Sequence, residues 1–243
     1  MPRRSVSRAP ARTPRLRVVV TDVDGTLTDA DRRLDPRAVE LVRSLELRGI
    51  PVALATGNVL PIALGLYRSL GLSGPIVAEN GGLIYRQDER GRDIVDRLTD
   101  RRVALAAFQK LRAAGLPVRQ LFTDRWRESE VALEPNVSVA VVKRALGDCG
   151  VEVESTGYAL HLMETGGGKL PALERALAYR GLTPGDCVIL GDGDNDVAML
   201  RAAGFSVSFS SASYRARRAA RYVTRAKFAA GFVEGLKASG ILD

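Results

Sequence analysis

The stretch Leu16–Asp29, LRVVVTDVDGTLTD, decides how the rest of the chain is read. Its first half is a run of β-branched residues, Val18, Val19 and Val20, without polar alternation, the pattern of a strand buried on both faces. It ends in two carboxylates one residue apart, Asp22 and Asp24, followed by Gly25. Two close carboxylates repel unless a cation or a shared proton relieves them. In a turn leaving the strand both can face one point while Val23 packs away from it, and Gly25 permits a backbone path or a close approach that a side chain would block. Taken alone, the stretch also fits an ordinary Asp-Gly turn.

Outward from this strand the chain alternates short apolar runs with helical stretches. Val39, Val42 and Leu45 recur at helical spacing between Pro36 and Arg48, with Asp35 as N-cap and Gly49 as stop. IPVALATGN and GPIVAENGG read as further strands with a helix between them, which predicts a parallel sheet wrapped by helices. After Gly82 the rhythm changes. LIYRQDERGRDIV reads as a hairpin, residues 101–115 as a helix, 118–122 and 130–133 as strands, and Pro135 to about Cys149 as a helix. VEVEST and YALHLME follow as alternating strands, suited to an open sheet with one wet face. The first rhythm then returns to the C-terminus. The expected architecture is α/β: a parallel-sheet core over residues 16–83 and 164–243, with a smaller α+β unit, 84–163, inserted into it.

Composition narrows the function classes. The chain has 243 residues, 46% of them apolar and 26% charged, the profile of a globular protein. No apolar run approaches the roughly 20 residues needed to span a bilayer, so no membrane partner is expected. Of the net charge of +8, six positive charges fall in the first 17 residues, which carry no acid. Residues 1–15 are expected to form a disordered basic extension, and the remaining chain gives little support for a nucleic-acid partner. Cys149 and Cys187 have no CxxC spacing and no neighbouring His, which fits a reducing, cytoplasmic location and neither a disulfide framework nor a zinc site.

In a parallel α/β sheet, functional groups collect at the carboxyl ends of strands. Three strands end in unusual polar groups: Asp22 and Asp24, then Thr56-Gly57-Asn58, then the GDGDND segment with Asp192, Asp194 and Asp196. GDGDND is not an EF-hand loop, since Val197 stands where Gly is required and Ala203 where the bidentate Glu belongs. An all-oxygen set of Asp carboxylates suits a hard cation, most economically Mg2+. Lys169 opens a helix after three glycines, where the helix dipole disfavours a cation; it is either solvated or aimed at a phosphate or at the Asp cluster. GGGK is not a P-loop, because Leu170 replaces Ser or Thr.

Together, DVDGTLTD, ATGN, the GGGK lysine and GDGDND, in this order, resemble the four motifs of the haloacid dehalogenase-like phosphohydrolase superfamily. The insertion between the second and third motifs, and AENGG, resemble its Cof-like branch with a C2-type cap, and the short chain looks most like archaeal-type phosphoglycolate phosphatases. The resemblance implies a Rossmann-like core and a phosphatase acting on a small phosphate ester, with 2-phosphoglycolate the leading substrate. It implies Asp22 as nucleophile and Asp24 as acid and base. Thr56, Gly57, Asn58 and Lys169 would bind the phosphoryl group, and Mg2+ would lie on Asp22, the Asp24 carbonyl, Asp192 and Asp196. Gly168 stands where many relatives have Asp, and Ser210-Ser211 where Asn-Ala is common. Arg119, Arg125, Arg127 and His161 are available to meet a substrate carboxylate. Alternatives are a sugar-phosphate phosphatase, a phosphomutase, or a non-catalytic nucleic-acid-binding module; the assembly is expected to be a monomer or homodimer.

Overall fold

The computed structural model describes residues 16–156 and 158–242, so the expected basic extension lies outside the described residues. Strand β1, Val18–Thr21, is buried along its whole length. Helix α1, Pro36–Leu47, follows, with the Asp35 side chain accepting from the Arg37 N–H at its N-cap and Pro at its start. Then come β2, Val52–Ala55, α2, Leu60–Leu70, and β3, Ile76–Ala78. A hairpin of β4, Leu83–Gln87, and β5, Asp93–Arg97, leads into α3, Arg101–Ala113. Next are β6, Val131–Leu133, α4, Val139–Leu146, β7, Val151–Ser155, and β8, Leu160–Glu164. The chain then runs through α5, Lys169–Ala178, β9, Cys187–Leu190, α6, Val197–Ala202, and β10, Phe205–Ser208. It closes with α7, Tyr214–Ala219, β11, Tyr222–Val223, and α8, Phe228–Ser239.

Eight strands form one sheet in the order β11-β10-β9-β1-β2-β3-β4-β5. It is parallel from β11 to β3, with registers such as Val20 opposite Ala53 on one side and Ile189 on the other. The crossovers β1-α1-β2 and β9-α6-β10 step in opposite directions, so a common right-handed rule puts α1 and α6 on opposite faces. Covering both faces explains why β1, β2 and β9 are solid apolar runs. A separate antiparallel sheet, β6-β8-β7, packs with α3 and α4 around its own core of Phe108, Leu111, Val131, Leu133, Val142 and Leu162, among others.

Three expectations need correction. The hairpin assigned to the insertion from residue 84 is the antiparallel edge of the large sheet, with Ile84 opposite Val77 and Leu83 opposite Ala78. The reason is burial: Leu83, Ile84 and Tyr85 are apolar and shielded, and they complete the main core rather than the small one. Residues 118–122 form only an isolated bridge, Gln120 opposite Leu133, before a 3-10 turn at Phe122–Trp126. That turn is held by Asp124, whose carboxylate accepts from the Ala132 N–H and from Gln120 and Arg101. Helix α4 starts at Val139 rather than Pro135, because Ser138 caps the Val141 N–H and Asn136 instead bonds the Pro117 carbonyl.

Leu54 sits in β2 with no exposure, between the strands that flank the site. Leu54→Ala is expected to cost about 2–5 kcal/mol of stability, read as a lowered urea midpoint at unchanged slope.

Candidate active site

The chain leaves β1 toward β2 and β3 on one side, while β9, β10 and β11 lie on the other. The loops leaving β1 and β9 therefore diverge, and a crevice opens at their carboxyl ends beside the loop leaving β2. Asp22 is the first residue past β1, and its N–H still bonds the Leu190 carbonyl at 3.0 Å, so the β1–β9 ladder fixes where its side chain begins. Val23 is buried in the main core, as its spacing predicts. Gly25 has φ +80, and a Cβ there would lie 2.3 Å from an Asp192 carboxylate oxygen. Both the turn and the approach of β9's loop thus require glycine.

Lys169 joins the distant segments. Its ammonium donates to Asp22 Oδ1 and to Asp196 Oδ1, each at 2.7 Å, and all three residues are buried. This is why a lysine opens α5 against the helix dipole: its charge is spent on carboxylates rather than on water. Gly168 before it adopts φ +120, and a Cβ on Gly81 would meet the Gly168 carbonyl at 2.1 Å. The turn after β3 and the start of α5 touch backbone to backbone, and an Asp at 168 would not adopt that conformation without strain. Asp196 takes two backbone donors on its other oxygen, from Asp192 at 3.0 Å and Gly193 at 2.9 Å.

Asp22, Asp192 and Asp196 each present an oxygen within 4.8 Å of the others, so this acidic cluster can hold a metal ion. Electrostatics point the same way. Burial raises the Asp22 carboxyl well above its usual range even against the opposing charge of Lys169. Burial, then the charge of Asp196, push Asp192 up to about 7. Burial would lower the Lys169 pKa, but Asp196 and Asp22 outweigh it and raise it, so the ammonium persists. One ammonium does not neutralise three carboxylates, and an all-oxygen, acidic donor set, two of its three residues buried, fits a hard divalent cation.

Thr56 is buried at the end of β2, and its hydroxyl accepts from the Asn58 N–H at 3.1 Å. The Asn58 side-chain amide donates to Asp24 Oδ2 at 2.7 Å, and the Gly57 carbonyl accepts from Arg127 at 3.0 Å. Asp24 does not join the Asp22 cluster through its side chain; its Oδ1 accepts from Arg32 Nε at 3.0 Å. Asp194 faces away, bonded to Ser213 at 2.6 Å and paired with Arg215. Ser210 and Ser211 bond the Arg225 carbonyl and the Phe228 N–H.

A cavity of about 380 Å³ lies over these groups, lined by Asp22, Asp24, Asn58 and Asp192 from below and by Arg127, Thr156, Tyr158 and His161 from the small sheet and its loops. Of the basic candidates, Arg119 is on the surface near Glu134 and Arg125 stacks on Phe122, neither lining the cavity. Arg127 and His161 meet on Glu130, His161 Nδ1 at 2.9 Å. Burial would raise the Glu130 carboxyl, but His161 and Arg127 outweigh it and hold it below its usual range.

Asn80 extends this network, bonding Glu130 at 3.1 Å and accepting from Asn195 at 3.0 Å. Beside it, Glu79 accepts from the Ser129 N–H at 2.9 Å and from its hydroxyl at 2.6 Å. Both sit at positive φ, 50° and 53°, a conformation that side chains adopt at a cost and that clusters at functional sites. Sequence reasoning missed Arg32, Glu79, Asn80, Glu130 and Tyr158. Only AENGG carried a local signal, its glycines marking a turn.

Residues 19–130 and 139–236 match the family model of haloacid dehalogenase-like hydrolases. The chain is 38% identical to a phosphoglycolate phosphatase of Methanothermobacter thermautotrophicus over 91% of this chain and 98% of that protein. It is 37% identical to one of Methanoculleus marisnigri over 91% and 96%. A solved Thermoplasma acidophilum protein, 26% identical, superimposes with a TM-score of 0.83 over 93% of this chain and 99% of its own. Among the described residues no helix is long and apolar enough to cross a membrane.

The raised Asp192 carboxyl sets a pH dependence. Below about pH 7 the site must lose a proton to take a cation, so affinity falls as pH falls. In the cation-free protein the sign is opposite: a raised folded-state pKa favours the fold most at low pH, and that contribution is lost as pH rises from about 4 to 7. The rise in melting temperature on adding Mg2+ as a probe is therefore expected to be larger at pH 8 than at pH 6, with apparent affinity differing by about tenfold, checked by thermal shift across a Mg2+ series.

Proposed function

Because the chain belongs to the haloacid dehalogenase-like hydrolase family, we propose that it is a Mg2+-dependent phosphatase whose substrate is 2-phosphoglycolate, released as glycolate and phosphate. The observation that carries this reading is the buried contact of Lys169 with Asp22 and Asp196, beside Asp192, under a small cavity. Such a cluster gathers charge where a phosphoryl group must be held, and the cavity's size suits a small ester rather than a polymer. The names of the archaeal relatives support the choice of substrate.

In this reading Asp22 attacks phosphorus, the ester oxygen departs with its bonding electrons, and an aspartyl-phosphate forms. Asp24 gives that oxygen a proton, then takes one from the water that attacks phosphorus and frees Asp22. Asn58, donating to Asp24 Oδ2, fixes the carboxyl for both steps. Thr56, Gly57 and Asn58 would bind the phosphoryl oxygens. Lys169 holds Asp22 in place and offsets the charge that collects as the bond forms. Asp22, the Asp24 carbonyl and Asp192 would hold Mg2+, with Asp196 buried behind them and anchored by Lys169 and two backbone donors. When bound, the ion supplies charge stabilisation to the phosphoryl oxygens. Positioning and electrostatics carry such reactions. The reducing, cytoplasmic location expected from cysteine usage suits an enzyme of small-metabolite chemistry.

Asp22→Asn is expected to lower kcat for Mg2+-dependent hydrolysis of both p-nitrophenyl phosphate and 2-phosphoglycolate by at least about a thousandfold, with the circular dichroism spectrum unchanged. Turnover near the wild-type rate would remove Asp22 as nucleophile. Across a panel of phosphate esters, 2-phosphoglycolate is expected to have the highest kcat/KM; hexose phosphates ranking above it would overturn the substrate assignment.

A further inference from the structure

Arg32 is placed with unusual firmness for a loop residue. The turn after β1 is closed by the Thr28–Leu34 bridge, and the Asp29 carboxylate accepts from the Asp31 and Arg33 N–H groups at 2.9 Å each. The Asp29 N–H bonds the Arg33 carbonyl at 2.9 Å, and the Arg32 N–H bonds the Asp29 carbonyl at 3.1 Å. These contacts hold Arg32 at φ 64, a conformation unfavourable for a residue with a side chain. Its Nε donates to Asp24, while its guanidinium lies 4.0 Å from the centre of the Tyr158 ring, which belongs to the loop before β8. Arg32, Asp24 and Tyr158 all line the cavity.

We propose that Arg32 reads the carboxylate of the substrate that is not transferred, exchanging the Asp24 carboxylate for it while remaining stacked on Tyr158. This rests on the phosphatase reading above. Three observations favour Arg32 over the other cations. Lys169 is spent between Asp22 and Asp196, and the charge of Arg127 is already paired with the buried Glu130, although its Nε has no partner. Arg32 already holds a carboxylate, but through one donor, where a guanidinium fork can give two. In 2-phosphoglycolate a single carbon separates the carboxylate from the ester oxygen that Asp24 serves, so the group that reads the carboxylate must stand next to Asp24.

The exchange also removes a conflict. Both Asp24 oxygens accept from side chains, Oδ2 from Asn58 and Oδ1 from Arg32. A bound carboxylate draws Arg32 away and leaves Oδ1 facing the leaving group, so recognition and release of Asp24 are one event. An ester without the carboxylate leaves Arg32 where it is.

The test compares 2-phosphoglycolate with 2-hydroxyethyl phosphate, which replaces the carboxylate by a hydroxymethyl group, in the full chain with saturating Mg2+. In the wild type, kcat/KM should favour 2-phosphoglycolate. Arg32→Ala should shrink that preference by about tenfold to a hundredfold and weaken competitive inhibition by glycolate in parallel. Arg32→Lys, measured alongside in case the alanine variant does not fold, should lose part of the preference. A merely structural role would lower both rates together; a preference that stays within about twofold of wild type in the variants therefore overturns the role of Arg32 alone. A wild type without the preference overturns the substrate reading, and the role of Arg32 with it.

Discussion

Three carboxylates and one ammonium share a crevice at the end of the central strand, and the rest of the molecule is arranged around the cost of keeping them there. Each buried ion forgoes hydration worth several kcal/mol, recovered only by close partners and full hydrogen bonding. Lys169 supplies the shared partner, at 2.7 Å from both Asp22 and Asp196, and two backbone donors complete Asp196. The charge left over on Asp22 and Asp192 suits a divalent cation. The close approaches that build this cluster explain the glycines around it: Gly25 lets the Asp192 carboxylate reach the β1 turn, and Gly81 lets the α5 start touch the β3 turn.

A second buried charge network joins the two sheets. Glu130 gathers Arg127, His161 and Asn80, and Arg127 also reaches the Gly57 carbonyl in the loop that carries Thr56. Glu79 meanwhile accepts from the backbone and side chain around Ser129. The strained turn Glu79-Asn80 is thus tied to the small sheet's loops at one end and, through Asn195, to the GDGDND loop at the other. Removing one partner of such a network leaves a buried charge uncompensated, so its members act as a unit. The cavity walls are held by it, while the Asp cluster makes the floor.

Much of this was legible in the residues. Solid β-branched runs implied a sheet covered on both faces, and helical spacing with Asp35, Pro36 and Gly49 bounded α1. The pairing of Asp22 and Asp24 with a glycine, and a lysine at a helix start, were oddities that became sensible only as parts of one site. The hairpin β4–β5 was misassigned because alternation describes a strand with one wet face but not which sheet it joins. His161 is among the residues expected to be available to a substrate carboxylate, yet its partner Glu130 lies 31 residues away, with no local pattern to mark it.

The sequence by itself determined which chemical groups are present, their order, and which strand ends carry them, because strand period and turn chemistry are local properties of the chain. Tertiary structure alone decided which charges pair. Asp24 carries Asn58 and Arg32 rather than joining Asp22, Arg127 and His161 line the cavity while Arg119 and Arg125 do not, and Asp194 turns outward to Ser213 and Arg215. The physical reason is that an ion pair depends on separations of a few ångströms and on local burial, and both are set by the crossing of elements remote in the chain.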